Sequence, residues 1–411
     1  MIKGQLLAGI DVGSSQVVCV LGRVSEETGK LEIIAGSKIP SKGLKGGVVI
    51  NIQEASYAIG KAVELVEEQA KEPTDQICIA LRGNHLESLN AHGTINISRS
   101  DKEITQEDVY NVIETAKAIR MSQDREILDS VAQEYALNHQ KGVPNPVGME
   151  GNFLEADVHV ITASSSHLNN VDKSIAQAGF RDMLSQVYGL LAVGNCVVSQ
   201  EEKELGCLLI DFGGLTTGIA IYSEGSIRFS KELQIGSDFI TRDISHGLRT
   251  SMVSAKEIKE KYGYAMASLI DEDKTFNYQA VDGRTMKEYS SSKLVDIIQP
   301  RLDQMFVLIE DEIKKSNYAD VIIPAEVIIT GGGARLNGMV NAVEQALNCS
   351  ARIGLPQNID GNEQILNDPS YATAIGLLSA EVTNDEDVSY IRNIKRQSGF
   401  AKFKSWFDRT F

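Results

Sequence analysis

The stretch QLLAGIDVGSSQVVCVLGRV (residues 5–24) decides the fold that this sequence predicts. Apolar residues run on both sides of a short turn rich in glycine and serine, which is typical of two buried strands joined as a hairpin. The segment GCLLIDFGGLTTGIAIY (206–222) repeats this plan about two hundred residues later. Two such Asp-x-Gly hairpins predict an internal duplication, and therefore two similar lobes.

The remaining segments alternate between strand and helix patterns, which favours an α/β fold. The segment EVIITGGGARLNGMVNAVEQALN (326–348) predicts a strand, a glycine-rich turn and an amphipathic helix. The segment YATAIGLLSAEV (371–382) predicts the last core helix, after which the periodicity fades.

Residues 84–165, between the two hairpins, have a different character and are interpreted as an inserted subdomain. Within them ITQEDVYNVIETAKAIR (104–120) predicts a helix, whose Thr105 and Asp108 have the spacing of a capping box. Residues 236–300 give two helical patterns and then a polar, serine-rich stretch, which predicts a second insertion.

Composition excludes several classes of function. A formal charge of −16 argues against a nucleic-acid-binding body, because phosphates would be repelled. The five cysteines form no CxxC pair, which is typical of buried thiols in a reducing compartment. The six histidines form no HxxxH or HExxH arrangement, and no stretch approaches the roughly 20 apolar residues that span a bilayer. We therefore expect a cytoplasmic body with no metal-hydrolase site.

The two hairpins and the GGG turn predict an anion site. A Gly/Ser turn can point several backbone N–H groups at one phosphate, and glycine lets the backbone approach closely. Two facing hairpins could clamp a triphosphate, with Asp11 and Asp211 holding a hydrated Mg²⁺, which takes few carboxylates. GGGAR (331–335) is expected to open a helix whose N–H groups pack on a purine or its phosphates. Each piece alone is more often an ordinary turn; their order along the chain indicates nucleotide binding, whereas P-loop and GxGxxG motifs are absent.

The chain resembles the actin-like ATPases, and within them the FtsA family of bacterial cell division proteins over nearly its full length. The superfamily resemblance lies in AGIDVGSSQVVCVLG (8–22), VYGLLAVGNCV (187–197), LLIDFGGLTTGIAIY (208–222), VIITGGGARLNGM (327–339) and YATAIGLLSA (371–380). The FtsA resemblance adds EITQEDVYNVIETAKAIR (103–120), QEYALNHQKGVPNPVGMEG (133–151), ELGCLLIDFGG (204–214) and an aromatic–basic terminal segment.

This resemblance implies an actin-like two-lobed fold, made of duplicated ribonuclease-H-like domains with an FtsA-type inserted subdomain, that binds ATP between its lobes. It also implies polymerisation at the cytoplasmic face of the inner membrane at the division site, where the family tethers FtsZ filaments and meets other divisome proteins. The implied divisions are subdomain IA (1–83, 166–193 and 369–384), the inserted subdomain IC (84–165), IIA (194–235 and 301–368), IIB (236–300), a linker (385–397) and an amphipathic membrane-targeting helix (398–411).

Carried onto this chain, the resemblance gives a nucleotide site. It comprises Asp11, Gly13, Ser14, Ser15, Gln16, Asp211, Gly213, Gly214, Thr216, Gly236, Lys259, Gly331, Gly332, Gly333 and Arg335. Asp11 and Asp211 would hold Mg²⁺ through water.

Three departures from the superfamily pattern bear on hydrolysis. The second hairpin, DxGGGTxD in relatives, has Leu215 for a glycine and Gly218 for the final acid. Val187 stands where relatives such as MreB carry a glutamate that positions the attacking water, and an apolar side chain cannot do this. In the AExxK motif of the adenosine side, Lys256 replaces the acid, and Glu257 lies about 100° further round the helix. These residues predict ATP binding with at most slow hydrolysis.

The terminal segment SGFAKFKSWFDRTF (398–411) predicts a membrane-binding helix. On a helix, its four phenylalanines fall within an arc of about 80°, and the tryptophan widens that arc to about 140°. Residues 395–411 contain five lysines and arginines and one acidic residue, which gives this segment a net charge of +4. An aromatic face with basic flanks is typical of an interfacial helix. The residues assigned to it are Phe400, Lys402, Phe403, Lys404, Trp406, Phe407, Arg409 and Phe411.

For the FtsZ tail, which the resemblance places on 236–300 and the following helix, Arg284 and Arg301 are the candidate contacts. Two alternatives stay open. One is a small-molecule kinase of the same superfamily, for which no catalytic aspartate stands out. The other is a pilus-assembly actin homologue of the PilM kind, which normally lacks the aromatic–basic terminal helix.

Overall fold

The computed structural model describes residues 4–382, except 75, 181–182, 317 and 319–325. The predicted linker and the predicted membrane helix at 398–411 lie outside the described residues. Among the helices within them, none combines the length and the apolar character needed to cross a bilayer.

The strands and helices are numbered here in chain order. The strands are β1 Leu7–Val12, β2 Gln16–Val24, β3 Leu31–Pro40, β4 Leu44–Lys45, β5 Val48–Val49, β6 Gln76–Leu81, β7 Glu87–Asn96, β8 Arg125–Leu137, β9 Gln140–Val143, β10 Phe153–Ser164, β11 Met183–Tyr188, β12 Cys207–Phe212, β13 Thr217–Ser223, β14 Ser226–Leu233, β15 Thr275–Gln279, β16 Met286–Ser290, β17 Glu326–Thr330, β18 Ala351–Ile353 and β19 Asp360–Gly361. The helices are α1 Ile52–Ala70, α2 Gln106–Ala116, α3 Ser165–Gln177, α4 Gly189–Val197, α5 Gln200–Leu205, α6 Ser237–Leu248, α7 Met252–Tyr262, α8 Ser291–Lys315, α9 Met339–Leu347, α10 Glu363–Leu366 and α11 Ala372–Val382.

Two sheets of the same design form the frame. In lobe I, β1, β2 and β3 are antiparallel neighbours, and β6 and β11 continue the sheet parallel to β1. In lobe II, β12, β13 and β14 form the same antiparallel meander, continued by β17 and β18 parallel to β12. The central strands are covered on both faces, which explains their nearly unbroken apolar sequences. The predicted duplication is confirmed.

Two helices lie where the lobes meet. The α4 side chains pack against β12 and β13 of lobe II, and Gly194 lies so close that a β-carbon there would be 2.1 Å from the Tyr222 hydroxyl. Helix α11 crosses α4 at Gly376, where a β-carbon would be 2.0 Å from the Ala192 carbonyl oxygen. Small residues therefore let these helices join the two sheets closely.

The segment between β6 and α3 forms a separate sheet in the order β7-β10-β8-β9, with α2 packed on it. The predicted capping box at Thr105 and Asp108 is present, although α2 ends at Ala116 rather than near residue 120. This sheet contacts β14 of lobe II, where the Ser88 hydroxyl donates to the Ser230 carbonyl (2.6 Å) and the Gln133 amide to the Ile227 carbonyl (2.6 Å).

The GGG turn differs from its prediction. Residues Gly332–Arg335 form one turn of 3₁₀ helix, and α9 begins only at Met339. Gly331 (φ 81°) and Gly338 (φ 76°) lie in the left-handed region on either side, which interrupts an α-helical path between them. The glycines thus open a tight turn and do not open the helix itself.

Candidate functional site

A cavity of about 310 Å³ lies between the two hairpins and the GGG turn. All the residues assigned from sequence to a nucleotide site line it, except Gly236. Residues that were not predicted also line it: Val18, Lys38, Arg82, Ser237, Asp238, Ile240, Lys256, Glu260, Leu336, Ser370 and Thr373. The segments predicted from sequence therefore line one and the same cavity, as a clamp around a phosphate chain requires.

The two hairpins meet across the cleft at one point. A β-carbon built on Gly214 would lie 2.5 Å from the Ser15 β-carbon and 2.8 Å from an Asp238 carboxylate oxygen. Only glycine fits there without displacing the opposite hairpin. In lobe I the corresponding Ser14 uses its hydroxyl to accept a hydrogen bond from the Gly47 amide (2.8 Å), which anchors the β4–β5 turn under the hairpin.

Gly236 lies behind the second hairpin. The Ser237 and Asp238 amides at the start of α6 donate to the carbonyls of Gly213 (2.9 Å) and Gly214 (2.8 Å). A β-carbon on Gly236 would be 2.4 Å from the Gly214 carbonyl oxygen. Gly236 therefore supports the hairpin by letting the α6 N-terminus approach it.

The two predicted magnesium carboxylates have different surroundings. Asp11 is half-buried, and its Oδ1, which is shielded from solvent, has no hydrogen-bond partner among the described residues. Burial raises the pKa of Asp11 to about 7, against the lowering effect of the nearby Arg82 guanidinium. An unpartnered carboxylate oxygen that faces a cavity is a suitable outer ligand for a hydrated cation.

Asp211 is already engaged. Its Oδ2 is paired with the Arg82 guanidinium and accepts a hydrogen bond from the Thr373 hydroxyl at 3.3 Å. Arg82 Nη1 also lies 3.5 Å from Glu232 Oε1, and all three charged side chains are at most 9% exposed. Burial alone lowers the pKa of an arginine, but Asp211, Glu232 and Asp11 outweigh it, so the pKa of Arg82 is raised.

The departure from the superfamily pattern at Gly218 has a structural counterpart. Gly218 pairs with Asp211 on β12 and with Glu232 on β14, so the three positions lie side by side. A β-carbon on Gly218 would lie 3.1 Å from Glu232 Oε1 and 3.2 Å from Arg82 Nη1. The space that an acid at 218 would fill is occupied by the Arg82–Glu232 pair. Val187, the other departure, is buried in β11 and does not line the cavity.

Helix α7 supplies another wall. Lys256 and Glu260 lie one turn apart on the cavity side, 4.0 Å from each other, whereas Glu257 does not line the cavity. Lys259 is buried and donates to the Ser237 carbonyl at 3.0 Å. Burial lowers the pKa of Lys259. Glu257 is turned away from the cavity by the helical rotation of about 100° per residue, whereas Glu260, one turn after Lys256, lies at the cavity wall.

A cationic group lies beside the GGG turn. Lys38 and Arg335 both pair with Asp368, at 2.6 Å and 3.3 Å, and the Lys38 ammonium lies 4.1 Å from the centroid of the Tyr371 ring. Arg335 was predicted from sequence, whereas Lys38 was not. The only sequence signal for Lys38 was its place in a strand that pairs with the hairpin.

The two residues predicted to contact a partner lie apart from the cleft wall. Arg284 is exposed in the β15–β16 turn, which the Asp282 carboxylate stabilises. Arg301 forms a two-bond ion pair with Asp243, at 2.6 and 2.9 Å. Arg301 is therefore held on the lobe surface, whereas the exposed Arg284 side chain forms no ion pair within the described part of the chain.

The residues fit a nucleoside triphosphate. Glycines at 13, 213 and 214 leave room for phosphates, two lysines of α7 line the same cavity, and Asp11 offers an unpartnered oxygen for hydrated Mg²⁺. The fit to Mg²⁺ rests on Asp11, since Arg82 occupies Asp211.

Comparison with known proteins identifies the family. The profile described as Cell division protein FtsA matches residues 208–376, and that described as SHS2 domain inserted in FTSA matches 83–162. The Cell division protein FtsA of Pseudomonas aeruginosa is 35% identical, covering 100% of this chain and 99% of its own length.

Solved structures confirm the actin-like fold. The PilM-PilN type IV pilus biogenesis complex is similar with a TM-score of 0.67 at 15% identity, over 92% of this chain and 98% of that one. MreB 5 of Spiroplasma citri bound to AMPPNP is similar with a TM-score of 0.57 at 12% identity, over 95% and 99%. The likeness to these structures concerns the fold, whereas the two matched profiles and the full-length relative carry the assignment. The chain belongs to the FtsA family of cell division proteins.

Proposed function

We propose that this protein binds ATP between its lobes, polymerises on the cytoplasmic face of the inner membrane at the division site, and tethers FtsZ filaments there. The observation that carries the proposal is the shared cleft of the two hairpins and the GGG turn in an FtsA-family chain. A structure of the same fold, MreB 5, binds AMPPNP, which supports a nucleotide as the occupant.

In this proposal the backbone N–H groups of both hairpins hold the phosphates, and Mg²⁺ is held through water. The α7 side chains Lys256, Lys259 and Glu260 face the nucleoside. Hydrolysis is at most slow, because neither Val187 nor Gly218 can orient a water molecule. The nucleotide then acts mainly by favouring the closed, assembly-competent arrangement of the lobes.

Membrane attachment is assigned to the segment 398–411. Five aromatics could contribute roughly 1.5–3 kcal/mol each if fully buried, and an interfacial helix buries them only partly. Cations add about 1 kcal/mol apiece near an anionic leaflet, whereas ordering the backbone costs on the order of 1–2 kcal/mol per residue. One tail should therefore bind reversibly, and a filament that presents many tails should bind firmly.

Co-sedimentation with anionic liposomes tests the proposal. Full-length protein is compared with a truncation that ends at Gln397, each with and without Mg-ATP. We expect only the full-length chain to pellet, and more of it with ATP. If both versions stay in solution, the tail is a packing element and the tethering role fails. If a polymerisation-defective full-length variant binds as tightly as wild type, filament avidity is not the cause.

The FtsZ contact has its own test. Fluorescence anisotropy measures binding of a labelled FtsZ C-terminal peptide, which is acidic and apolar. Arg284→Glu should weaken binding, because the exposed cation becomes a repelling charge. Lys30→Glu, at an exposed turn of lobe I, is the charge-matched control and should bind as wild type. Equal loss in both variants would mean that only net charge matters.

A further inference from the structure

Arg82 belongs to lobe I, but the acidic side chains that neutralise its charge belong to lobe II. It directly follows β6, and its guanidinium pairs with Asp211 of β12 and approaches Glu232 of β14. The side chain is 9% exposed, lines the cavity between the hairpins, and its Nη1 makes no hydrogen bond of standard geometry within the described part of the chain. Nη1 itself is shielded from solvent beside Glu232, so a ligand in the cleft would meet the guanidinium through the part of the side chain that lines the cavity.

Neighbouring glycines provide the space for this side chain. A β-carbon on Gly189 would lie 2.5 Å from Arg82 Cδ, and one on Gly218 would lie 3.2 Å from Arg82 Nη1. Gly47 packs so closely that a β-carbon there would be 1.9 Å from the Arg82 carbonyl oxygen. Because the Ser14 hydroxyl holds the Gly47 amide, the first hairpin also supports the backbone of Arg82.

The charges around Arg82 explain why it stays in place. One guanidinium is surrounded by the carboxyl groups of Asp211, Glu232 and Asp11, and removing a buried cation from such partners is strongly unfavourable. A phosphate that enters the cavity meets this fixed cation, whose planar fork is suited to phosphate oxygens. A hydrated Mg²⁺, in contrast, finds Asp211 already paired.

We propose that Arg82 is the resident cation at the phosphate end of the cleft, and that it contacts the terminal phosphates and makes nucleotide binding weakly dependent on Mg²⁺. This inference rests on the proposed ATP-binding function and specifies how the site balances the phosphate charge. It also makes Arg82 a residue through which the bound nucleotide contacts both lobes, since its partners lie on lobe II.

Titration of a fluorescent ATP analogue, in Mg²⁺ or in EDTA, tests the assignment by affinity alone. Removing Mg²⁺ should weaken wild-type binding by a small factor, about threefold or less. Arg82→Gln frees Asp211 and removes the resident cation, so its affinity should fall roughly 10- to 100-fold in EDTA and should be largely restored by Mg²⁺. Arg82→Lys keeps the charge without the fork and should fall between the two.

Arg228→Gln is the matched control. Arg228 is an equally buried arginine on the same strand as Glu232, but it pairs with Glu224 away from the cavity. Its Mg²⁺ dependence should equal that of wild type. If wild type loses the ATP analogue in EDTA as steeply as Arg82→Gln, the assignment of Arg82 is overturned, although ATP binding stands. If wild type binds no nucleotide in either buffer, the ATP proposal fails and this inference with it.

The single variant leaves Glu232 and Asp211 without their cation, so its folding is checked by thermal unfolding. The double variant Arg82→Gln with Glu232→Gln removes one charge of each sign and keeps the buried site nearer to balance. It should show the same strong Mg²⁺ dependence as Arg82→Gln. A double variant that binds like wild type in EDTA would contradict the proposal.

Discussion

The first and second hairpins share one backbone plan and carry different charges. Asp11 and Asp211 hold equivalent places, each at the end of the central strand and paired with the third residue after the turn. Yet Asp211 is engaged by Arg82 and Thr373, whereas one oxygen of Asp11 has no partner in the part of the chain that the structure describes. The two hairpins therefore share the same backbone geometry, whereas the charges around each aspartate depend on the residues of the neighbouring strands.

The strands that flank the hairpins show where the difference arises. Val18 and Gly218 are equivalent, and their partners on the next strand are Lys38 in lobe I and Glu232 in lobe II. Equivalent positions thus carry opposite charges. The strand after each meander differs too. Ala80 and Thr330 are equivalent partners of Asp11 and Asp211, so Arg82, two residues beyond Ala80, is the lobe I equivalent of Gly332 in lobe II. Lobe I therefore places the Arg82 cation in the cleft, and lobe II provides Asp211, the acid that pairs with it.

The largest expected effect comes from breaking the engaged aspartate. Asp211→Asn should lower the free energy of unfolding by about 3 kcal/mol, at the lower end of the range for removing one partner of a buried pair, because Glu232 and Asp11 still face Arg82. Urea denaturation in EDTA without nucleotide measures it. A loss below about 0.5 kcal/mol would mean that the Asp211–Arg82 pair contributes little net stability.

Asp11→Asn should have the opposite sign. The pKa of Asp11 is raised to about 7 in the folded state, so between about pH 4 and pH 7 the folded protein holds a proton that the unfolded chain releases. Wild-type stability at this site therefore falls as pH rises through that window and is level above it. The variant lacks this loss and should be more stable than wild type by about 2 kcal/mol at pH 8, and by little near pH 4. This is roughly half of what a pKa shift of this size implies for a fully buried group, because solvent screens the half-buried Asp11.

Denaturation at several pH values in EDTA checks this second prediction. Because both aspartates are replaced by the same amide, the pair of variants is its own control. A stability difference that does not change with pH, or an equal loss in both variants, would show that the two aspartates are in the same state after all.

Sequence reasoning found the parts of this site that are local. Each hairpin is identified by an aspartate and glycines within a few residues of one another, and the GGG turn by three consecutive glycines. Their place in the cleft could therefore be predicted from the sequence. Arg82 could not, because its partner Asp211 is 129 residues away and the pairing depends on how two sheets face each other. Glu232 was missed for the same reason, since only strand register places it beside Gly218.

The cross-cleft contact gives the next prediction. Gly214→Ala should lower stability by about 1–2 kcal/mol, because the new methyl group meets Ser15 of the other lobe. It should also weaken binding of the ATP analogue, since the hairpins must separate. Ser15→Gly removes the group it meets and should restore part of both losses. No restoration in the double variant would mean that Asp238, the other neighbour, sets the cost.

The smallest effect concerns Ser14, the lobe I equivalent of Gly214. Ser14→Ala removes the acceptor of the Gly47 amide and should cost about 1 kcal/mol. Hydrogen exchange at residues 44–50 should become faster, because the β4–β5 turn loses its anchor. Ser15→Ala is the control: among the described contacts its backbone carbonyl, not its hydroxyl, accepts a bond, from the Ser41 amide at 3.0 Å. Faster exchange after Ser15→Ala as well would show that the hairpin as a whole, and not the Ser14 hydroxyl, holds this turn. If only Ser14→Ala has the effect, the first hairpin supports the backbone under Arg82 by a bond that glycine at the equivalent place in lobe II cannot make.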